Sequence, residues 1–223
     1  MRTHKFPKYY YKRKHFKPKT LPINCIDLLS TAMVPSSTKL LELGCATGFM
    51  SAYFSNTLGC TVYGVDLNKS AIKQATKHCH KAFSLDLDHQ TSWNQIKKLG
   101  KFDVVFASAV LEHLKDPWLA MTQIHQLLKS TGTLIITLPN IAHWSIRLSL
   151  LKGEWQYQRY GILDNTHLRF FTYHTAQNLV TSTGFKIIDI QIDPAGGIKY
   201  FNHIARRFPN FYAHQIAIKA IKN

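Results

Sequence analysis

The chain is poor in acid. Its 223 residues include 12 Asp and Glu against 28 Lys and Arg, a formal charge of +16 with His neutral. That excess favours anionic partners, whether nucleic acid, phospholipid or an anionic metabolite, without choosing among them. Part of it is a tail: Arg2, Lys5, Lys8, Lys12, Arg13, Lys14, Lys17 and Lys19 precede the first acid, Asp27. Cysteine is also sparse. Cys25, Cys45, Cys60 and Cys79 form no CxxC pair and no disulfide scaffold, and no apolar leader segment follows the basic start. A reducing, cytoplasmic compartment is expected. No apolar run approaches the ~20 residues needed to span a bilayer, since "VVFASAVL" stops at Glu112, so no integral membrane span is expected. Internal repeats are lacking. Adjacent His78, Cys79 and His80 would point apart on a helix without a partner cluster at zinc spacing, so no metal site is expected.

What the chain does have is alternation. "LPINCIDLLSTAMV" carries helical spacing and ends at Pro35. "KLLEL", "CTVYGVDL", "AFSLDL", "FDVVFASAV" and "TLIITLP" read as strands, separated by the helical segments "GFMSAYFSNTLG", "KSAIKQATKHCH", "WNQIKKLG" and "PWLAMTQIHQLLKSTG". Strands regularly separated by helices pair in parallel through right-handed crossovers. The expected fold is α/β, a Rossmann-like doubly wound sheet. After the helix "HTAQNLVTSTG", the strands "FKIIDIQID" and "FYAHQIAIKAI" show no obvious helix between them and predict an antiparallel hairpin edge.

In such sheets ligands bind beyond the carboxyl ends of the strands, where a glycine turn lets the backbone come close. Gly44 and Gly48 occupy that turn in "LLELGCATGF". Asp66 ends the second strand, where a carboxylate can accept both hydroxyls of a ribose; Asp86 and Leu87 end the third, and Ser108 and Ala109 the fourth. A GxGxxG pyrophosphate turn is absent, because its positions hold Gly44, Ala46 and Phe49. The site suits a nucleoside without a diphosphate.

"LLELGCATG", "VYGVDLN", "SLDLD", "FDVVFASAVLEHLKDP" and "LLKSTGTLIITLPN" resemble the successive motifs of the class I S-adenosylmethionine-dependent methyltransferases, from about residue 36 onward. The resemblance implies seven strands, mostly parallel, and S-adenosyl-L-methionine as cofactor, with S-adenosyl-L-homocysteine as product. It places Glu42, Gly44 and Cys45 at the methionine end, Gly48 beneath it, Asp66 and Leu67 at the ribose, and Asp86 with Leu87 at the adenine. Ser108, Ala109 and His113 lie beside the cofactor, and Tyr11 of the tail reaches the methionine carboxylate. Ala46 stands where the family often has glycine, and a small side chain at negative φ is expected there. Residues 1–35 are then a basic tail and capping helix, and 36–223 the methyltransferase domain.

The stretch of about 140–172 is too long for an ordinary connection, and loops of that size on a rigid scaffold commonly hold substrate. It is expected to be the lid, with Trp144, Arg147, Tyr157, Tyr160 and Arg169 as acceptor contacts. "PNIAHWSIRLSLLKG" resembles bacterial methyltransferases of the methionine-biosynthesis type and others associated with cell-envelope sugars, and "GILDNTHLRFFT" mainly the latter. Methyl transfer to a hydroxyl needs alignment and removal of a proton. His167 is the expected base, with Asp164 orienting it or the substrate, ahead of His143 and His113; a structural role for His167 in closing the lid stays open. The expected acceptor is a small molecule or a carbohydrate-linked group, methylated on oxygen. RNA stays open as an acceptor through the basic, aromatic tail, and a catalytically idle binding domain remains the third reading.

Overall fold

The computed structural model describes residues 16, 18–22, 24–194 and 202–223. Most of the basic tail, Tyr11 included, lies outside the described residues. Five strands, β1 (Lys39–Leu43), β2 (Thr61–Asp66), β3 (Lys81–Ser84), β4 (Phe102–Ser108) and β5 (Leu128–Pro139), pair in parallel. β6 (Phe185–Asp193) and β7 (Gln215–Lys222) complete one seven-stranded sheet in the order β3-β2-β1-β4-β5-β7-β6, with β7 antiparallel to both neighbours. This is the expected doubly wound sheet with its hairpin edge.

Both faces of the sheet are apolar, so both must be covered. On one face Leu40, Val62, Val104, Phe106 and Ile135 pack with Ile26 and Met33 at the ends of α1 (Ile26–Ala32) and with Met50 and Phe54 of α2 (Phe49–Asn56). The other face seats Leu41, Leu43, Val105, Leu134 and Ile136 against α4 (Gln90–Lys97), α5 (Pro117–Leu127) and α7 (Tyr173–Ser182). α3 (Lys69–Ala75) buries Ile72 and Ala75 against Cys45. α1 therefore belongs to the main core. Its first N–H, Ile26, donates to Asp193 Oδ2 at 3.3 Å, tying the start of the described domain to β6.

Three local details differ from the sequence reading. β3 stops at Ser84, so Asp86 and Leu87 stand in the loop beyond it. The long connection after β5 contains a helix, α6 (Trp144–Leu151). Two short helices, α8 (Asn202–Arg207) and α9 (Pro209–Tyr212), also separate β6 from β7. "NHIARRFPNFY" hides them because most of its residues stay exposed, which erases the apolar period that betrays a buried helix.

Candidate active site

β1 pairs with β2 on one side and β4 on the other, so the crossovers diverge there and leave a crevice at the strands' carboxyl ends. The turn leaving β1 crosses that crevice. Gly44 and Gly48 take φ of +71° and +80°, and a Cβ on Gly48 would lie 2.9 Å from the Ala75 backbone. The Gly44 and Cys45 N–H groups both donate to Val65 O, at 2.7 and 3.0 Å, which curls the turn over β2. Ala46 adopts φ +48°, contrary to the negative φ expected from sequence. The reason is Asp66: its Oδ2 accepts the Ala46 N–H at 2.9 Å, and its Oδ1 accepts the Asn68 N–H at 2.8 Å. One carboxylate thus organises the turn through both of its oxygens, and a strand-end carboxylate is the group that accepts hydrogen bonds from a ribose diol.

Glu42 is buried and accepts a hydrogen bond from Ser51 Oγ. Burial pushes its carboxyl well above the usual range, so it is a neutral group beneath the turn. Cys45 has its side chain in the core, leaving only backbone toward the crevice. Leu67 is 45% exposed. The Leu87 carbonyl accepts the Trp93 indole N–H at 2.9 Å, and Asp86 Oδ1 caps the Asp88 N–H at 2.9 Å, so the loop after β3 is fixed at the position expected for an adenine. Ser108 Oγ lies 2.9 Å from Thr137 Oγ1, which also takes the Ala109 N–H at 3.0 Å and holds Ala109 at φ +52°.

A one-turn 3-10 helix, Leu111–His113, follows β4 and carries Glu112 and His113. The Glu112 carbonyl accepts both the Leu168 and Arg169 N–H groups, at 2.8 and 3.0 Å, and so pins the end of the long connection after β5 to the 3-10 helix that follows β4. That brings His167 beside His113, ring centroids 4.8 Å apart, and sets its Nε2 4.0 Å from Glu112 Oε1. At 4.0 Å this contact is too long for a hydrogen bond. Burial keeps both partners neutral, raising the Glu112 carboxyl to about 8 and lowering the His167 imidazole below its ordinary value. Glu112 Oε2 is buried with no hydrogen-bond partner among the described residues.

Asp164 acts on His167 through its charge, which favours the protonated imidazole, and the ring's Nδ1 faces a backbone carbonyl. The His167 Nδ1–H donates to Ile162 O at 3.0 Å, which leaves Nε2 as the basic nitrogen. The fully buried Asp164 accepts the Thr166 N–H and Oγ1–H, at 2.8 and 2.6 Å. With its own proton committed, Thr166 Oγ1 receives the Nδ1–H of His113 at 3.1 Å, and Asp164 therefore orients His113. Burial, followed by the neighbouring His167, lowers His113 to about 4. Donor atoms of Glu112, His113 and His167 all lie within 4.8 Å of one another, a set with the chemistry to move a proton or to approach a cation. The sequence named His113 and His167 as separate candidates but did not announce their contact, because the two segments lie far apart in the chain, with 53 positions between His113 and Thr166.

The other expected residues fall elsewhere. His143 caps α6, its Nδ1 2.7 Å from Ser145 Oγ, and its ring packs on His214 at 5.4 Å, away from the trio. Trp144, Arg147, Tyr157, Tyr160 and Arg169 are exposed. Rings connect that surface to the interior: Tyr157 to Trp155 at 6.2 Å, Trp155 to Phe170 at 5.7 Å, and Phe170 to His167 at 6.2 Å.

Comparisons with known proteins agree with this geometry. Residues 17–190 match the family model described as a methyltransferase domain. The ubiquinone biosynthesis O-methyltransferase of Cereibacter sphaeroides is 28% identical over 165 residues, covering 72% of this chain and 65% of that protein. The enzyme of the same name from Rhodopseudomonas palustris is 29% identical over 121 residues, 54% of this chain and 47% of that one. The chain thus spans less than two thirds of the length of these relatives. Among solved structures, the magnesium protoporphyrin IX methyltransferase of Synechocystis superposes with a TM-score of 0.64 at 14% identity, over 97% of this chain and 92% of that one. An S-adenosylmethionine-dependent methyltransferase of Mesorhizobium loti gives 0.61 at 18% identity, over 92% and 100%. With the family model matched over most of its length and the turn, strand-end acid and hairpin edge in place, the chain belongs to the methyltransferase-domain family of class I, S-adenosylmethionine-dependent enzymes.

Proposed function

We propose that the protein methylates a hydroxyl oxygen of a small-molecule acceptor, with His167 as the base. The observation that carries this reading is the seating of His167 Nε2 beside His113 and Glu112, at the mouth of the crevice that the cofactor motif forms. The turn at 44–48, Asp66 and the loop at 86–87 would hold S-adenosylmethionine. When bound, it supplies a methyl group made electrophilic by its sulfonium. The acceptor O–H then gives its proton to His167 Nε2 as the new O–C bond forms and the S–C bond breaks. Ile162 O holds His167 in the tautomer that leaves Nε2 ready. The names of the curated relatives support oxygen as the methylated atom.

The test supplies isotopically labelled S-adenosylmethionine and a panel of hydroxylated aromatic compounds, sugar nucleotides and RNA, and follows label into the acceptor. Transfer to a small hydroxyl compound that His167→Ala abolishes is the expected result. Labelling of RNA alone, falling steeply with salt as phosphate contacts require, would replace this reading with the RNA one.

A further inference from the structure

α6 buries none of its eight residues. Trp144, Leu148 and Leu151 recur at helical spacing on one stripe and are 42%, 46% and 85% exposed. The chain then stays exposed from 151 through 160, adding Trp155, Tyr157 and Tyr160. α9 extends the same surface: the Arg147 guanidinium lies 5.8 Å from the Phe211 ring centroid, and Phe208 beside it is exposed. So many exposed large apolar side chains within one stretch of chain mark a surface that meets something.

Its charge identifies the occupant. Exposed Arg147, Lys152 and Arg159 lie in α6 and the segment after it, against Glu154 as the one exposed acid there. A second copy of the chain would set like charges against each other. RNA would satisfy the cations yet leave the leucines in water. An anionic bilayer satisfies both, because leucines enter the acyl boundary, indole and phenol rings sit at headgroup depth, and cations meet lipid phosphates.

We propose that α6, the 152–160 segment and α9 form a docking surface for an anionic phospholipid membrane. The proposal uses none of Glu112, His113 and His167, although Trp155 in the face reaches His167 through the Phe170 ring. No helix among the described residues is long and apolar enough to cross a membrane, so attachment through this face is peripheral and reversible.

The experiment is flotation of the purified full chain with vesicles of phosphatidylcholine alone or mixed with phosphatidylglycerol. Co-flotation with the mixed vesicles, weakened by salt and by omission of the anionic lipid, is expected. The double variant Leu148→Glu, Leu151→Glu should lower vesicle partitioning about tenfold or more, with its thermal midpoint and S-adenosylhomocysteine binding intact. Absence of co-flotation with anionic vesicles overturns the proposal. So does undiminished binding by the double variant, which would move the contact to the basic tail. Concentration-dependent dimerisation that the same variant abolishes, without vesicle binding, would assign the face to a second copy instead.

Discussion

Asp66 accepts the N–H of Ala46 across the mouth of the cofactor crevice, 2.9 Å from oxygen to nitrogen, and so couples the end of β2 to the turn that leaves β1. The acid at the end of β2 and the backbone of the glycine turn are thereby one unit. Changing either should move both.

Asp66→Asn keeps the shape but discards the charge and one acceptor oxygen. Hydrogen bonds to a charged group contribute roughly 1.5–3 kcal/mol each, so S-adenosylhomocysteine should bind at least about tenfold more weakly by calorimetry. Unchanged affinity would remove Asp66 from the ribose site.

Ala46 sits at φ +48°, where an L side chain pays a steric penalty that glycine avoids. Ala46→Gly removes that strain at some cost in unfolded-chain entropy. A net gain of about 1 kcal/mol in chemical denaturation is expected, with the fold unchanged. A loss of stability would mean that the Ala46 methyl, nearly buried in the turn, contributes more than the strain costs.

The sheet, its order of motifs and the strand-end acids were legible because each is local: an apolar run ending in an acid, or a glycine where a strand must turn. Asp66, Gly44 and Gly48 could be placed on such grounds. The sign of φ at Ala46 could not, since it follows from a bond to a residue 20 positions away. The pairing of His113 with His167 was equally hidden, because the Glu112 carbonyl holding two lid amides is a backbone contact that no side-chain pattern announces. His143 stood behind His167 as an alternative in sequence, and its role as the cap of α6 came only with the structure.

His167→Ala should slow turnover with the identified acceptor by about a hundredfold to ten-thousandfold, the usual range for a positioned base, while cofactor binding stays. Because burial lowers the His167 imidazole, the base remains unprotonated below its ordinary value of 6.5. The acid limb of the pH–rate profile should therefore lie below pH 6.5. A limb at or above that value would point to a different base.

Treatment with a chelator separates proton transfer from metal chemistry at the same trio. If Glu112, His113 and His167 work as acid and bases, turnover survives chelation and added zinc does not raise it. Loss of activity on chelation, restored by a divalent cation, would turn the trio into a ligand set and remove His167 from the role of base.

Glu112 supplies a test that needs no acceptor. Its carboxyl stands at about 8 in the fold against an ordinary 4.5, so between those values the native state holds a proton that the unfolded chain has lost. Stability must then fall as pH rises through that window, at roughly 1.4 kcal/mol per unit, and level off above the folded value. His113 and His167, lowered in the fold, give the opposite slope, but only below their ordinary 6.5. The interval from pH 6.5 to 8 therefore isolates Glu112 within the trio. Glu112→Gln, which cannot ionise, should hold its stability across that interval while the parent loses on the order of 1–2 kcal/mol in denaturant titrations. Parallel curves for the two proteins would show that Glu112 ionises normally, and with that the neutral, water-poor environment argued for His167 would go as well.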